Sequence, residues 1–285
     1  MTRRRRACYH LSGIKNIEGG ALFGTCVGFD KLESAAKLGY DYLESNLGHI
    51  KSLSEQELKN TKAMLDGYGA KLEAVNCFFP GEIHLAGEDA DIEIIRDYTR
   101  RAFDNAVFLE IKTCVLGSGR SRSVPEGFDR EKGLEQIHSA LRVIDDEAGE
   151  HGIRVAIEPL NRLETNVFTT VRESVDICRA LGLKNIFVLA DIYHMVMENE
   201  DLGALRYAGD KLIHIHFSNP TAKDSPNGGK MKRIFPAEGD GYNYAPFVQA
   251  VKKAGYDGRM SIEANCINFE AEAAEGLKMM KKLFE

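Results

Sequence analysis

The sequence predicts a (β/α)8 TIM barrel of the α/β class, read as a single domain over residues 1–285. Three observations predict it. Short apolar, β-branched runs alternate with longer amphipathic stretches along the chain, the pattern of a parallel sheet. Eight such runs can be counted, which suits a closed barrel better than an open doubly wound sheet. No Pro/Ser-rich linker divides the chain, and its length is sufficient to bury about three-quarters of its extended surface in one core.

In chain order, the first strand is expected at Ala7–Leu11 and the second at Tyr40–Glu44. Ser54 and Glu57 have capping-box spacing before a helix that carries Leu58, Leu65 and Tyr68 and stops at Gly67 and Gly69. Strand Lys71–Cys77 leads to a helix over Asp91–Val107, then strand Ile111–Leu116 and a helix over Arg130–Glu150. Strand Ile153–Glu158 follows. Thr170 and Glu173 repeat the capping spacing before Val171, Val175, Cys178 and Leu181 on one helical face. Strands Asn185–Asp191 and Leu212–Phe217, a helix at Tyr244–Ala254, strand Arg259–Glu263 and a helix at Glu270–Leu283 complete the series. In the last, Ala273, Leu277, Met280 and Phe284 recur at helical spacing. A dinucleotide fold has little support: Gly117-Ser118-Gly119 follows a strand, but Arg122 stands where a third glycine belongs, and no Walker pattern occurs.

Lysine plus arginine number 37 and aspartate plus glutamate 43, a net charge of −6. With 44% hydrophobic and 28% charged residues the chain is neither disordered nor a general nucleic-acid binder. Arg3–Arg6 reads as a solvated terminus. Leu11–Gly20 contains Lys15, Asn16 and Glu18, so neither a secretory leader nor a membrane span is expected, and the cytoplasm is the default compartment. The scattered Cys8, Cys26, Cys77, Cys114, Cys178 and Cys266 read as reduced, mostly buried thiols.

Chemistry in such a barrel sits at the C-terminal ends of its strands. The last four runs end in Glu158, Asp191–His194, His214–His216 and Glu263. Singly, each has a structural reading: a strand-end carboxylate caps the next helix, and a strand histidine is a satisfied core residue. Together on four neighbouring strands they do not, because buried unpaired carboxylates cost several kcal/mol each and call for a shared cation. Two Glu, one Asp and one His form an oxygen-rich set suited to Mn²⁺, Mg²⁺ or Co²⁺. His214 and His216 point to the same side of the pleat; His216, nearer the mouth, is the expected ligand, and His214 is a deeper supporting or core residue. His10, His49, His84, His138 and His151 take structural readings.

The segments Ile157-Glu158-Pro159-Leu160-Asn161-Arg162-Leu163-Glu164-Thr165, Asp191-Ile192-Tyr193-His194, His214-Ile215-His216 and Ile262-Glu263 resemble the motifs of the xylose-isomerase-like TIM barrels (sugar phosphate isomerases and epimerases). Within that family the likeness is greatest to the ketose 3-epimerases of the tagatose/psicose type, and Val124–Phe128 and Gly255–Gly258 fit as well. The resemblance implies one divalent ion per chain, manganese first, held by Glu158, Asp191, His216 and Glu263. It implies that Glu158 and Glu263 are the acid/base pair, working through a metal-stabilised cis-enediolate, and that Glu164 and His194 bind the sugar. It also implies a small sugar as substrate and a dimer or tetramer. The family places an arginine six residues after the metal-binding histidine; here Ala222 stands there, followed by Lys223.

Ser218–Tyr242 is rich in Pro, Gly and basic residues and reads as a structureless lid, from which Lys223 or Arg233 replaces that arginine as a substrate-binding cation. Three alternatives remain. An enzyme acting on a 3-oxo-glycoside, by epimerisation or elimination, would use the same site. An endonuclease IV-like nuclease would need three zinc ions, for which the histidine supply is too poor. A non-catalytic sugar-binding barrel would not need both flanking glutamates.

Overall fold

The computed structural model describes residues 20–221, 223–224 and 230–284. Eight parallel strands close a barrel: β1 (Leu22–Cys26), β2 (Tyr42–Asn46), β3 (Leu72–Asn76), β4 (Thr113–Leu116), β5 (Arg154–Ile157), β6 (Ile186–Asp191), β7 (Leu212–Phe217) and β10 (Arg259–Ile262). Each pairs with its sequence neighbours, and β10 closes against β1 through Leu22–Arg259 and Gly24–Ser261. Seven of the expected strands are present within a few residues, but the first is corrected: the barrel begins at Leu22–Cys26. Ala7–Leu11, with Arg3–Arg6, His10 and Cys8, lies outside the described residues. Glycines in and beside Leu22–Cys26 give it the look of a turn. Gly24 serves packing instead, since a Cβ there would overlap the ring of Tyr42.

The helix starts follow their caps. Ser54 and Glu57 make the reciprocal capping box of the Glu55–Tyr68 helix, which ends on Gly69 at φ 63°. Asp91 caps Ile92–Phe108 and Asp129 caps Arg130–His151. Thr170 accepts from Glu173 N, but Glu173 turns to Thr169 N, so this box is only half made. Ala245–Ala254 and Phe269–Phe284 match the last two expected helices.

The core has two parts. Outward-facing Val75, Ile157, Val188, Ile215, Met260 and Ile262 are buried in one continuous apolar cluster with Leu65, Ile95, Phe103, Ile137 and Val175 of the helices. Val115, Ala156 and Leu189 form a separate buried cluster, which the strand register places on the inner face. It lies at the level of His214, between the polar groups of the C-terminal mouth and the Arg259–Glu73 ion pair nearer the N-terminal end. None of the described helices is long and apolar enough to cross a membrane.

Two expectations change. The segment after β7 is a hairpin arm rather than a structureless loop: Asn219 and Ile234 exchange both backbone hydrogen bonds (2.9 and 3.0 Å), and β8 (Lys223–Asp224) pairs antiparallel with β9 (Lys230–Met231). Asn265 N, beyond β10, donates to Arg233 O at 3.0 Å and anchors the arm's base. The five described thiols are free but not mostly buried: Cys114 and Cys178 are buried, Cys26 is half-buried, and Cys77 and Cys266 are exposed on connections beyond strand ends.

Candidate metal centre and active site

Glu158, Asp191, His216 and Glu263 meet at the C-terminal mouth, each offering one donor atom, all within 4.8 Å of one another. Strand register brings them there. Asp191 pairs with His216 across β6–β7, and Glu263 N donates to Phe217 O at 3.1 Å, extending the β10–β7 ladder. His216 is central: its Nδ1 lies 2.9 Å from Glu158 Oε1 and 2.8 Å from Glu263 Oε2. Asp191 does both things a strand-end aspartate can do. Its Oδ1 accepts from Tyr193 N at 2.8 Å, capping the short Ile192–Met197 helix, while its Oδ2 turns into the site.

The donor set fits a small divalent cation. Two donors on one ion with bonds of about 2.1 Å lie between about 3.0 Å (adjacent) and about 4.2 Å (opposite) apart, so a cluster within 4.8 Å reaches this range with side-chain adjustments of about 1–2 Å. Three carboxylates and one imidazole nitrogen are the hard, oxygen-rich set that octahedral ions prefer. The local field is already built for a cation. Burial pushes the Asp191 carboxyl up against the pull of Arg233, whereas at Glu263 Arg233 and then His216 outweigh burial and hold the carboxyl down at about 2. His216 is held well above the usual imidazole range, because Glu44 and Glu263 outweigh its burial.

The other expected residues fall around this cluster. Arg233 leaves the arm and ion-pairs with Asp191, and its Nη2 lies 2.9 Å from Glu263 Oε2. Its guanidinium also sits 5.1 Å from the centre of the Tyr193 ring. His194 is buried and accepts at Nδ1 from both Asn161 N (3.0 Å) and Asn161 Nδ2 (2.9 Å). That leaves its hydrogen on Nε2, 3.8 Å from Asp191 Oδ2. Burial lowers its pKa, so it is a neutral donor at the site rim. Glu164 is tied to Asn161 Nδ2 and to Lys232 Nζ, both at 3.2 Å. Lys223 lies in β8; its side chain is outside the described residues.

Four residues that shape the site were not assigned from sequence. Glu44, on β2, contacts His216 Nε2 at 3.0 Å. Asn161 orients His194, as above. Arg122, in the short helix after β4, is 1% exposed and donates to the carbonyls of Leu116 (2.9 Å) and Glu158 (2.6 Å), fixing the backbone that carries Glu158. Burial lowers its pKa to about 10, so it remains a cation at neutral pH. Arg122→Met should leave buried carbonyls unpartnered at about 1–3 kcal/mol each, a loss to be read in denaturant unfolding. Gly117 gives Glu158 room: an added Cβ would lie 2.5 Å from Glu158 Oε2. Gly117→Ala should displace that carboxylate and cut turnover by up to about 10²-fold, with little change in the unfolding midpoint.

The family model described as "Xylose isomerase-like TIM barrel" matches residues 32–283. A D-psicose 3-epimerase of Agrobacterium fabrum is 31% identical over 211 residues, covering 70% of each protein. The solved D-psicose 3-epimerase from Clostridium cellulolyticum superposes with a TM-score of 0.78 at 21% identity, covering 93% of this chain and 99% of that one. A 3-keto-D-glucoside 4-epimerase from E. coli gives a TM-score of 0.74 at 17% identity, covering 92% and 99%. At those identities the two structures speak for the fold. The family rests on the model match over most of the chain and on the Agrobacterium relative: this protein belongs to the xylose isomerase-like TIM barrel family.

Proposed function

We propose that this protein is a carbohydrate isomerase, a ketose 3-epimerase that depends on one divalent cation held by Glu158, Asp191, His216 and Glu263. The observation that carries the reading is the convergence of those four donors within 4.8 Å at the barrel mouth, in a chain whose curated relatives include D-psicose 3-epimerases. The substrate is a free ketose, and manganese is the first ion to test, with magnesium and cobalt next.

A proton on the carbon beside a ketone is too weakly acidic for an unaided carboxylate. The ion supplies Lewis-acid stabilisation of the charge that develops on the sugar's oxygens. Everything else falls to the chain. One of Glu158 and Glu263 takes the proton from carbon 3, and the other returns one to the opposite face, inverting that centre. Both glutamates already meet the same imidazole nitrogen, at 2.9 and 2.8 Å, so one small substrate bound there is within reach of both. His194 donates its Nε2 hydrogen and Glu164 accepts from a hydroxyl, fixing which carbon lies between the carboxylates. Arg233 and Lys223 are the substrate-binding cations of the arm, taking the place of the arginine absent at Ala222. Arg233 would bind a sugar oxygen and keep water from the reacting carbon.

Metal-loaded protein incubated in D2O with a panel of ketoses and 3-oxo-glycosides tests the reading. Deuterium at carbon 3 of an epimerised ketose is the expected result. Label at carbon 1 or 2 of an aldose would make the protein an aldose–ketose isomerase, and turnover of the oxo-glycosides alone would transfer the site to that substrate class. Arg233→Ala should raise KM or lower kcat while the bound-ion count stays unchanged; wild-type kinetics in both Arg233→Ala and Lys223→Ala would remove the arm from the mechanism.

A further inference from the structure

A fourth carboxylate, Glu44 in the middle of β2, is fully buried in the lumen and takes no part in the steps above. We propose that Glu44 is a positioning residue that fixes the tautomer of His216, holding its hydrogen on Nε2 so that the Nδ1 lone pair is presented to the ion. This rests on the metal reading of the site.

The contact spans the barrel. β1 and β10 lie between β2 and β7, and the inward positions they offer at the crossing are Gly24 and Ser261. With no side chain on one and a short one on the other, the glutamate reaches both histidines. Glu44 Oε1 lies 3.0 Å from His216 Nε2, and Oε2 lies 2.8 Å from His214 Nε2 and 2.6 Å from Ser261 Oγ. Tyr42 Oη, 2.9 Å from Ser261 Oγ, closes the chain of polar groups. All five side chains are buried.

Three groups able to donate therefore converge on one carboxylate, which accepts only. For all three contacts to be hydrogen bonds, both histidines must carry hydrogen on Nε2. A separate observation agrees: among the described residues nothing hydrogen-bonds the buried His214 Nδ1, as expected of a ring nitrogen bearing a lone pair rather than a hydrogen. In His216 the same orientation turns Nδ1 to Glu158 Oε1 and Glu263 Oε2, so without an ion that nitrogen carries a hydrogen too; a bound ion would take the place of that hydrogen, and Glu44 holds the one on Nε2. A ring free to take the other tautomer would spend part of its time with a hydrogen aimed at the cation. His214, read from sequence as a deeper supporting residue, then occupies the second oxygen of Glu44 and stops the carboxylate from turning away.

Glu44→Gln is the test, because it keeps length and shape but offers one acceptor oxygen and one donating amide NH2. One of the two histidine bonds must then break or that ring must change tautomer. Calorimetric titration with Mn²⁺ should show affinity about 10–100-fold weaker than in the wild type, the usual cost of removing an outer-shell partner. Nitrogen-15 NMR of the wild type loaded with diamagnetic Mg²⁺ should show His216 protonated at Nε2 and without hydrogen at Nδ1, and this measurement decides the matter if the variant does not fold. An unprotonated Nε2, or equal Mn²⁺ affinity in a folded Glu44→Gln protein, overturns the assignment. A wild-type protein that takes up no divalent ion at all instead overturns the metal reading beneath it.

Discussion

Replacing Glu158 or Glu263 by glutamine is expected to abolish exchange between the substrate's carbon-bound hydrogen and solvent. Each variant loses two things at once, a proton-transfer group and an anionic donor for the ion, and the experiment has to separate them. Under excess metal, with occupancy checked by analysis of the bound ion, the remaining loss in kcat should be at least about 10²-fold, the usual worth of one positioned acid or base. The two variants should differ in form. If each glutamate serves one face of the sugar, one variant blocks proton removal from one epimer and the other blocks it from the mirror-related centre. Single-turnover deuterium wash-in, started separately from each epimer, should then be asymmetric between the two proteins. Glu263 is also paired to Arg233 at 2.9 Å, so Glu263→Gln should loosen that contact and raise KM, whereas Glu158, which among the described side chains pairs with His216 and not with Arg233, should mainly affect kcat. Near-normal turnover in either metal-replete variant would show that the proton passes through another group.

Much of this site was legible in the sequence because the barrel imposes a simple rule: polar residues that end apolar runs collect at one mouth. Glu158, Asp191, His216 and Glu263 could be placed together without coordinates since each terminates a strand, and adjacent strands in a parallel barrel end side by side. Glu44 escapes that rule. It sits in the middle of β2 rather than past its end, only the last four strands were read as informative, and the crossing from β2 to β7 depends on small side chains at Gly24 and Ser261. The first strand was misplaced for a local reason. Leu22–Cys26 holds a glycine where a strand signal expects a β-branched residue, and that glycine is required by a ring from the neighbouring strand. Arg122 was noticed only as a departure from a glycine pattern. Its role depends on carbonyls of Leu116 and Glu158 brought together by barrel closure, a contact with no sequence periodicity. The arm after β7 looked structureless because Pro and Gly dominate it, yet a hairpin needs only a few backbone pairs, and these leave little trace in side-chain pattern.

His216→Ala should cost more metal affinity than any other single change in this protein. It is the one residue touched by two of the other expected ligands, through Nδ1, and by Glu44, through Nε2. Removing the ring deletes a donor atom and at the same time leaves three carboxylates facing a cavity without the group that held them. The loss in Mn²⁺ affinity should exceed the roughly 100-fold upper figure for an outer-shell partner, so the order of damage should be His216→Ala above Glu44→Gln. Stability should fall too, since breaking a buried charge network by deleting one partner costs about 3–5 kcal/mol. Bound-ion analysis on a folded sample, confirmed by far-ultraviolet circular dichroism, separates the two effects. His216→Asn, which fills part of the cavity, should recover stability more than affinity. Unchanged stoichiometry and affinity in both variants would take His216 out of the metal site. Three ions per wild-type chain would instead favour the nuclease-like alternative, which the described residues do not favour: their second candidate cluster, Cys26, Glu44 and His216, shares its histidine with the first.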